Sequence, residues 1–179
     1  MNLSRLFAVL VAMLWAAPGL AGDAQTPSDV THGFYVVYST FHPSDGIPDA
    51  AGRAKYSPFL SPAFAKLLAD AAAAEARFIK ANKGSPPLIE GDLFTSLFEG
   101  ATAFRVGACK EESITASCAV NLTYDDRKEA PAHWTDTVSL TKTNAGWRVD
   151  DIEYGATWAF ANKGHVTTVL HQAIADSGN

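Results

Sequence analysis

The chain has 179 residues, 47% of them hydrophobic and 18% charged. That length suits one domain, and that balance excludes a disordered chain. The formal charge of −5, with no basic stripe along the sequence, argues against a nucleic-acid partner.

Residues 1–5 carry one positive charge, Arg5, and residues 6–17 form an unbroken apolar run of 12. Gly19 and Ala21 then put small residues at the −3 and −1 positions of a cut after Ala21. This is the layout of a secretory signal peptide. Twelve apolar residues fall short of the ~20 that span a bilayer, although an uncleaved signal anchor is the alternative reading. Residues 1–21 are therefore assigned to export and 22–179 to a single periplasmic domain. That domain holds 13 basic and 19 acidic residues, a net of −6, and no second apolar run approaches spanning length.

In Thr26-Pro27-Ser28-Asp29, Thr26 suits an N-cap, Pro27 the first helical position and Asp29 the third, a capping box with Asp in place of Glu. Val30, Phe34, Tyr38 and Phe41 recur at helical spacing, which predicts a helix over 27–41. Turn residues at 42–46 end it, and a stretch rich in Gly, Pro and Asp reads as a loop to about Ser57. Ser61-Pro62 opens a second helix over 63–80, with Phe64, Leu67, Leu68, Ala71, Ala74 and Phe78 on one face. Residues 89–100 read either as a short helix capped by Asp92 or as an ordered loop.

From Ala101 the period changes to two. Strands are expected at 102–109, 117–125, 133–142 and 146–154, and a last helix over 164–175. In 146–154 the apolar residues Trp147 and Val149 fall out of phase with Ile152 and Tyr154, so a β-bulge is expected at Asp150-Asp151. Cys109 and Cys118 are an even, close pair in an exported chain, which reads as a disulfide. Two metal ligands or a redox pair is the other reading. Alternation places the two cysteines out of phase across their hairpin, so a bridge requires a register adjustment, for example a bulge at Gly107. The element order is that of an α+β fold: N-terminal helices packed on one face of a curved antiparallel sheet of about four strands, plus a C-terminal helix.

The strings YSPFLSP at 56–62, EGDLF at 90–94, HWTDTVSL at 133–140 and GWRVDDIEYG at 146–155, with the pair Cys109 and Cys118, resemble a family of exported bacterial proteins known only as a domain of unknown function. That family includes envelope lipoproteins of the YbjP type. The string Trp147-Arg148-Val149-Asp150-Asp151-Ile152 is also similar to the last strands of the nuclear transport factor 2-like superfamily. The resemblance implies a cone: a strongly bent antiparallel sheet around a pocket, closed by N-terminal helices. The chain departs from the lipoproteins in lacking a lipid-attachment Cys after its apolar run. The superfamily holds isomerases, dehydratases, transport factors and binding modules, so the resemblance implies no reaction.

GxSxG, HExxH, P-loop and GxGxxG patterns are absent, and the five His at 32, 42, 133, 165 and 171 lack metal-site spacing. No metal or other cofactor is expected. Asp136 is the candidate for chemistry, because it shares the apolar face of a strand with Trp134, Val138 and Leu140. A carboxylate there is hydrogen-bonded, paired or raised in pKa. In a cone it serves either as a general base or as an organiser of the sheet mouth. Tyr38, Trp134, Asp136, Tyr154 and Trp158 are the candidate ligand-binding residues. The readings carried forward are a non-enzymatic periplasmic module for a protein partner or small ligand, a small isomerase- or hydratase-type pocket enzyme using Asp136, and an immunity or inhibitor protein with an acidic surface.

Overall fold

The computed structural model describes residues 25–40 and 46–178. Residues 1–21, expected to direct export, the end of the first predicted helix at Phe41 and the turn expected at 42–46, up to residue 45, lie outside the described residues. Helix α1 (Pro27–Thr40) begins on the expected box: the Thr26 amide donates to Asp29 Oδ2 at 2.9 Å, and the Asp29 amide donates to Thr26 Oγ1 at 3.2 Å. The Thr26 hydroxyl, which donates to Asp29 Oδ2 at 2.7 Å, and then the Thr26 amide hold the exposed Asp29 carboxyl below its usual pKa. Helix α2 (Ala50–Tyr56) and a 3-10 turn (Ser57–Phe59) occupy the stretch expected to be loop. Seven residues are too few to show a helical period. The local cue is Asp49, whose Oδ1 accepts the Gly52 amide at 2.7 Å as an N-cap. Helix α3 (Pro62–Ala81) is capped by Ser61 Oγ, which accepts the Phe64 amide at 3.0 Å, and it buries Phe64, Leu68, Ala71 and Ala74.

Strands β1 (Ala103–Glu111), β2 (Thr115–Tyr124), β3 (Ala132–Thr143), β4 (Gly146–Tyr154) and β5 (Gly164–His165) form an open antiparallel sheet in chain order. Sequence reading misses the two-residue β5. Helix α4 (Val166–Asp176) follows it directly. Both expected bulges are present. Register shifts between Val106 and Cys109: Gly107 and Ala108 together oppose the single residue Ala119, and this one extra residue returns Cys109 to the phase of its cross-strand partner Cys118. The two cysteines are disulfide-bonded. The second shift leaves Asp150 as the extra residue between Val149 and Asp151. Asp151 accepts from the Thr167 amide at 3.1 Å and its hydroxyl at 3.0 Å, capping α4, and lies 3.0 Å from His165 Nδ1.

Alternation divides the sheet into two unlike faces. Val120 and Leu122 of β2, Trp134, Val138 and Leu140 of β3 and Val149 and Ile152 of β4 join one core with Phe34 and Tyr35 of α1, Phe64 and Leu68 of α3 and Leu170 of α4. The other face carries Ser117, Asn121 and Thr123 opposite Ser139, Thr135 and His133, all at least partly exposed. Among the described residues the architecture is thus α+β, with four helices and a five-stranded antiparallel sheet.

Candidate functional site

The segment between α3 and β1 positions the interior. Residues 91–97, Gly-Asp-Leu-Phe-Thr-Ser-Leu, are buried without a break although they form neither helix nor strand. Buried irregular backbone must find a partner for nearly every N–H and C=O, and here side chains supply them. Asp92 Oδ1 accepts the amides of Phe94 at 2.6 Å and Thr95 at 2.8 Å, while Oδ2 accepts the Tyr38 hydroxyl at 2.5 Å. These are the bonds of an N-cap with no helix after it. Tyr38 Oη in turn accepts the Ala101 amide at 2.7 Å. Tyr154 donates to the Leu93 carbonyl at 2.6 Å, and Tyr35 donates to that of Phe94 at 3.2 Å. Asn162 Nδ2 donates to the carbonyls of Asp92 and Thr95, both at 3.0 Å, and the Asn162 amide donates to that of Ser96 at 2.8 Å.

Asp136 holds the far end of this segment. Its Oδ2 accepts the Ser96 amide at 2.9 Å and the Trp134 indole N–H at 3.1 Å. Its Oδ1 accepts the Gly155 amide at 2.8 Å and the Ser96 hydroxyl, and Ser96 Oγ accepts the Ala156 amide at 3.1 Å. Four donors therefore use the carboxylate's accepting positions, and the side chain has no exposed surface. Gly155 must be glycine for this approach, because a Cβ there would collide with the Thr135 carbonyl oxygen. No buried side-chain nitrogen or oxygen among the described residues lacks a partner.

Two carboxylates in one apolar interior have an electrostatic consequence. Burial raises the Asp92 carboxyl to about 7 against the pull of its hydrogen bonds, and burial also raises Asp136. Burial raises Tyr35, Tyr38, Tyr56 and Tyr154 too, with nearby carboxylates adding to the effect, so all four remain neutral.

The structure brings Tyr38, Trp134, Asp136 and Tyr154 to one buried cluster, with less than a tenth of each exposed. Trp158 lies at its edge, half-buried, with its ring T-shaped to Trp134 at 5.6 Å. Phe160 stacks on Trp158 at 5.9 Å and 6° and is 72% exposed. Three rings thus run from core to solvent. Neither carboxylate of Glu90 or Glu99 joins Asp92; both residues are exposed. Ser96 and Asn162, which sequence reasoning does not single out, are central. Their partners lie 40 and 70 residues away in the chain, beyond any local pattern. Among the described residues no group of three His, Cys, Asp or Glu side chains converges on a point, and no helix is long and apolar enough to cross a membrane.

The chain matches no protein-family model and no curated protein.

Proposed function

We propose that this protein is an exported, non-enzymatic binding module on a nuclear transport factor 2-like cone, related to the exported YbjP-like proteins that its sequence resembles. The observation that carries this reading is the occupancy of Asp136. A general base needs a free lone pair within reach of a substrate proton, whereas four protein donors hold this carboxylate out of solvent. The best-placed carboxylate for chemistry therefore supports architecture. The disulfide suits the oxidising compartment that the export segment specifies.

The working surface in this reading is the ring pair Trp158 and Phe160. An aromatic that is 72% exposed yet fixed flat against a second ring presents apolar area with little conformational freedom left to lose on binding. The test is capture from an envelope extract by the immobilised, disulfide-intact chain. Wild type should retain a defined protein or small molecule, and Trp158→Ala and Phe160→Ala should each reduce retention at least tenfold. Retention of nothing by wild type, or equal retention by both variants, refutes the reading.

A further inference from the structure

The solvent face of the sheet carries polar rows and a hollow that lie apart from the buried cluster. Two adjacent cross-strand rows lie there: Arg105, Asn121 and Thr135 in one, and Ala103, Thr123 and His133 in the next. The row between them, Phe104, Leu122 and Trp134, packs into or against the core. Between the outer rows is an open hollow of about 520 Å³, within the range of small-molecule sites.

The chemistry of this hollow runs against that of the protein. The whole chain is acidic, at −5, yet no carboxylate lines the hollow. Its charged or chargeable groups are Arg105 and His133. The Arg105 guanidinium makes no hydrogen bond or ion pair to any described residue, and Arg105 is exposed. An uncommitted guanidinium is a ready fork for a carboxylate. The neighbouring polar groups are partly pre-set. Thr135 donates to Asn121 Oδ1 at 3.2 Å, and Asn121 Nδ2 donates to the Arg105 carbonyl at 3.4 Å, which leaves its second N–H for a ligand. Thr123 Oγ1 lies 3.0 Å from His133 Nδ1, which leaves Nε2 for a ligand. Small Ala103 leaves the space beside them open.

From the hollow, a strip of hydroxyls continues along the same two strands through Ser117 opposite Ser139 and Thr115 opposite Thr141. A second hollow of about 320 Å³ lies over those rows, and it mixes Lys110 with Glu112 and Asp150. Only the first hollow is free of acids. Four residues along a strand separate Thr135 from Ser139, or ~14 Å at 3.4 Å per residue, so one elongated polar ligand can reach both.

We infer that this face binds an acidic sugar. Its carboxylate is held by Arg105 and His133 in the first hollow, its hydroxyls are met by Asn121, Thr123 and Thr135, and further sugars extend along the Ser/Thr strip. A neutral sugar leaves Arg105 unused, and a bare inorganic anion leaves the hydroxyl groups unused. The site uses the solvent face of the sheet rather than the rings at Trp158. Loss of protein capture with an intact sugar titration therefore counts against the proposed function alone, and the converse result counts against this site alone.

The test is a proton–nitrogen NMR titration of the disulfide-intact chain with glucuronate, glucose, inorganic phosphate and a glucuronate-containing tetrasaccharide. Glucuronate should saturably shift the amides at 103–105, 121–123 and 133–135, at least tenfold more tightly than glucose or phosphate. The tetrasaccharide should bind more tightly still and extend the shifts to 117 and 139. Arg105→Gln and His133→Gln, both at exposed positions, should each weaken glucuronate binding at least fivefold with the rest of the spectrum unchanged. Equal binding of glucose removes the role of charge, and equal binding of phosphate removes the sugar; either overturns the assignment. So do unshifted amides in these rows, or concentration-dependent shifts there without ligand, which would mean that a second copy of the chain covers the face.

Discussion

Replacing Asp136 with Ala removes the acceptor of four hydrogen bonds at a fully buried position. The Ser96 hydroxyl keeps the bond it accepts from the Ala156 amide but loses the acceptor of its own proton, and Gly155 lies in an exposed position where water can replace the carboxylate. The Ser96 amide, the Ser96 hydroxyl and the Trp134 indole are left as buried, unpaired donors. Each costs about 1–3 kcal/mol, for a gross loss of about 3–9 kcal/mol. Removing a carboxylate that burial already disfavours offsets part of this, so a net loss of about 2–4 kcal/mol is expected. Against a total of ~5–15 kcal/mol this is a large fraction. In urea, with a slope of ~1–3 kcal/mol/M, it moves the midpoint down by about 1–2 M, read by tryptophan fluorescence. Asp136→Asn keeps one accepting oxygen but turns an NH2 toward the remaining donors, so it should fall between wild type and Asp136→Ala. Hydrogen exchange at the Ser96 amide should accelerate in both variants before global unfolding. A midpoint for Asp136→Ala within ~0.2 M of wild type would refute the idea that this carboxylate holds the buried segment.

The pH dependence has the opposite sign to ordinary acid denaturation. Asp92 sits at about 7 in the folded chain against 3.8 for a free side chain, so between those values the folded state holds a proton that the unfolded state has released. Its contribution is therefore greatest below about pH 4 and is lost as pH rises through about 7; Asp136 acts in the same direction. Tm measured by circular dichroism should be higher at pH 5 than at pH 8 by roughly 5–10 °C, and Asp92→Asn should flatten the slope; a Tm that rises with pH across this window contradicts the assignment. Reduction of the Cys109–Cys118 bond, which closes a sequence separation of 9, should cost about 2–3 kcal/mol in urea titrations while far-ultraviolet dichroism stays native. Loss of the fold on reduction would show that the hairpin cannot hold its bulged register without the bridge. Asn162→Ala deletes two donor contacts to the buried segment and should cost about 1–3 kcal/mol and speed exchange at 155–163; unchanged exchange there would assign the anchoring to backbone contacts alone.

What was legible in the sequence is what depends on near neighbours. The Thr26 and Ser61 caps lie three residues from the amides they satisfy, so both long helices announce their starts. The phase slips at Gly107 and Asp150 show in the alternation itself, and the bulges lie where the slips are. Asp136 stands out because alternation puts a carboxylate on an apolar face. Its partners do not stand out: Ser96 is 40 residues away, and a Ser beside a Thr after an Asp carries the local signature of an exposed turn. Residues 91–97 are buried because Tyr35, Tyr38, Tyr154 and Asn162 arrive from three other parts of the chain, and a lone segment holds no trace of that. Helix α2 is too short to express a period, and β5 exists only because Glu153 and Tyr154 of β4 pair with it.

The same network links the interior to the surface. The 155–163 segment, which carries Trp158 and Phe160, has few anchors of its own in regular structure. It is tied down at Gly155 by Asp136, at Ala156 by Ser96, and at Asn162 by the carbonyls of Asp92, Thr95 and Ser96. Lys163 closes it back on the Ala156 carbonyl at 2.7 Å. The exposed rings therefore rest on a segment whose position is set by the two buried carboxylates. A change at Asp136 reaches the ring surface through three bonds of known partners, without Asp136 touching any ligand. In a binding module this makes Asp136 a positioning residue. It also explains why a polar cluster that costs burial energy stands where Leu or Phe would pack: apolar side chains could fill that volume, but they would leave the backbone of 91–97 unpaired and the aromatic segment unanchored.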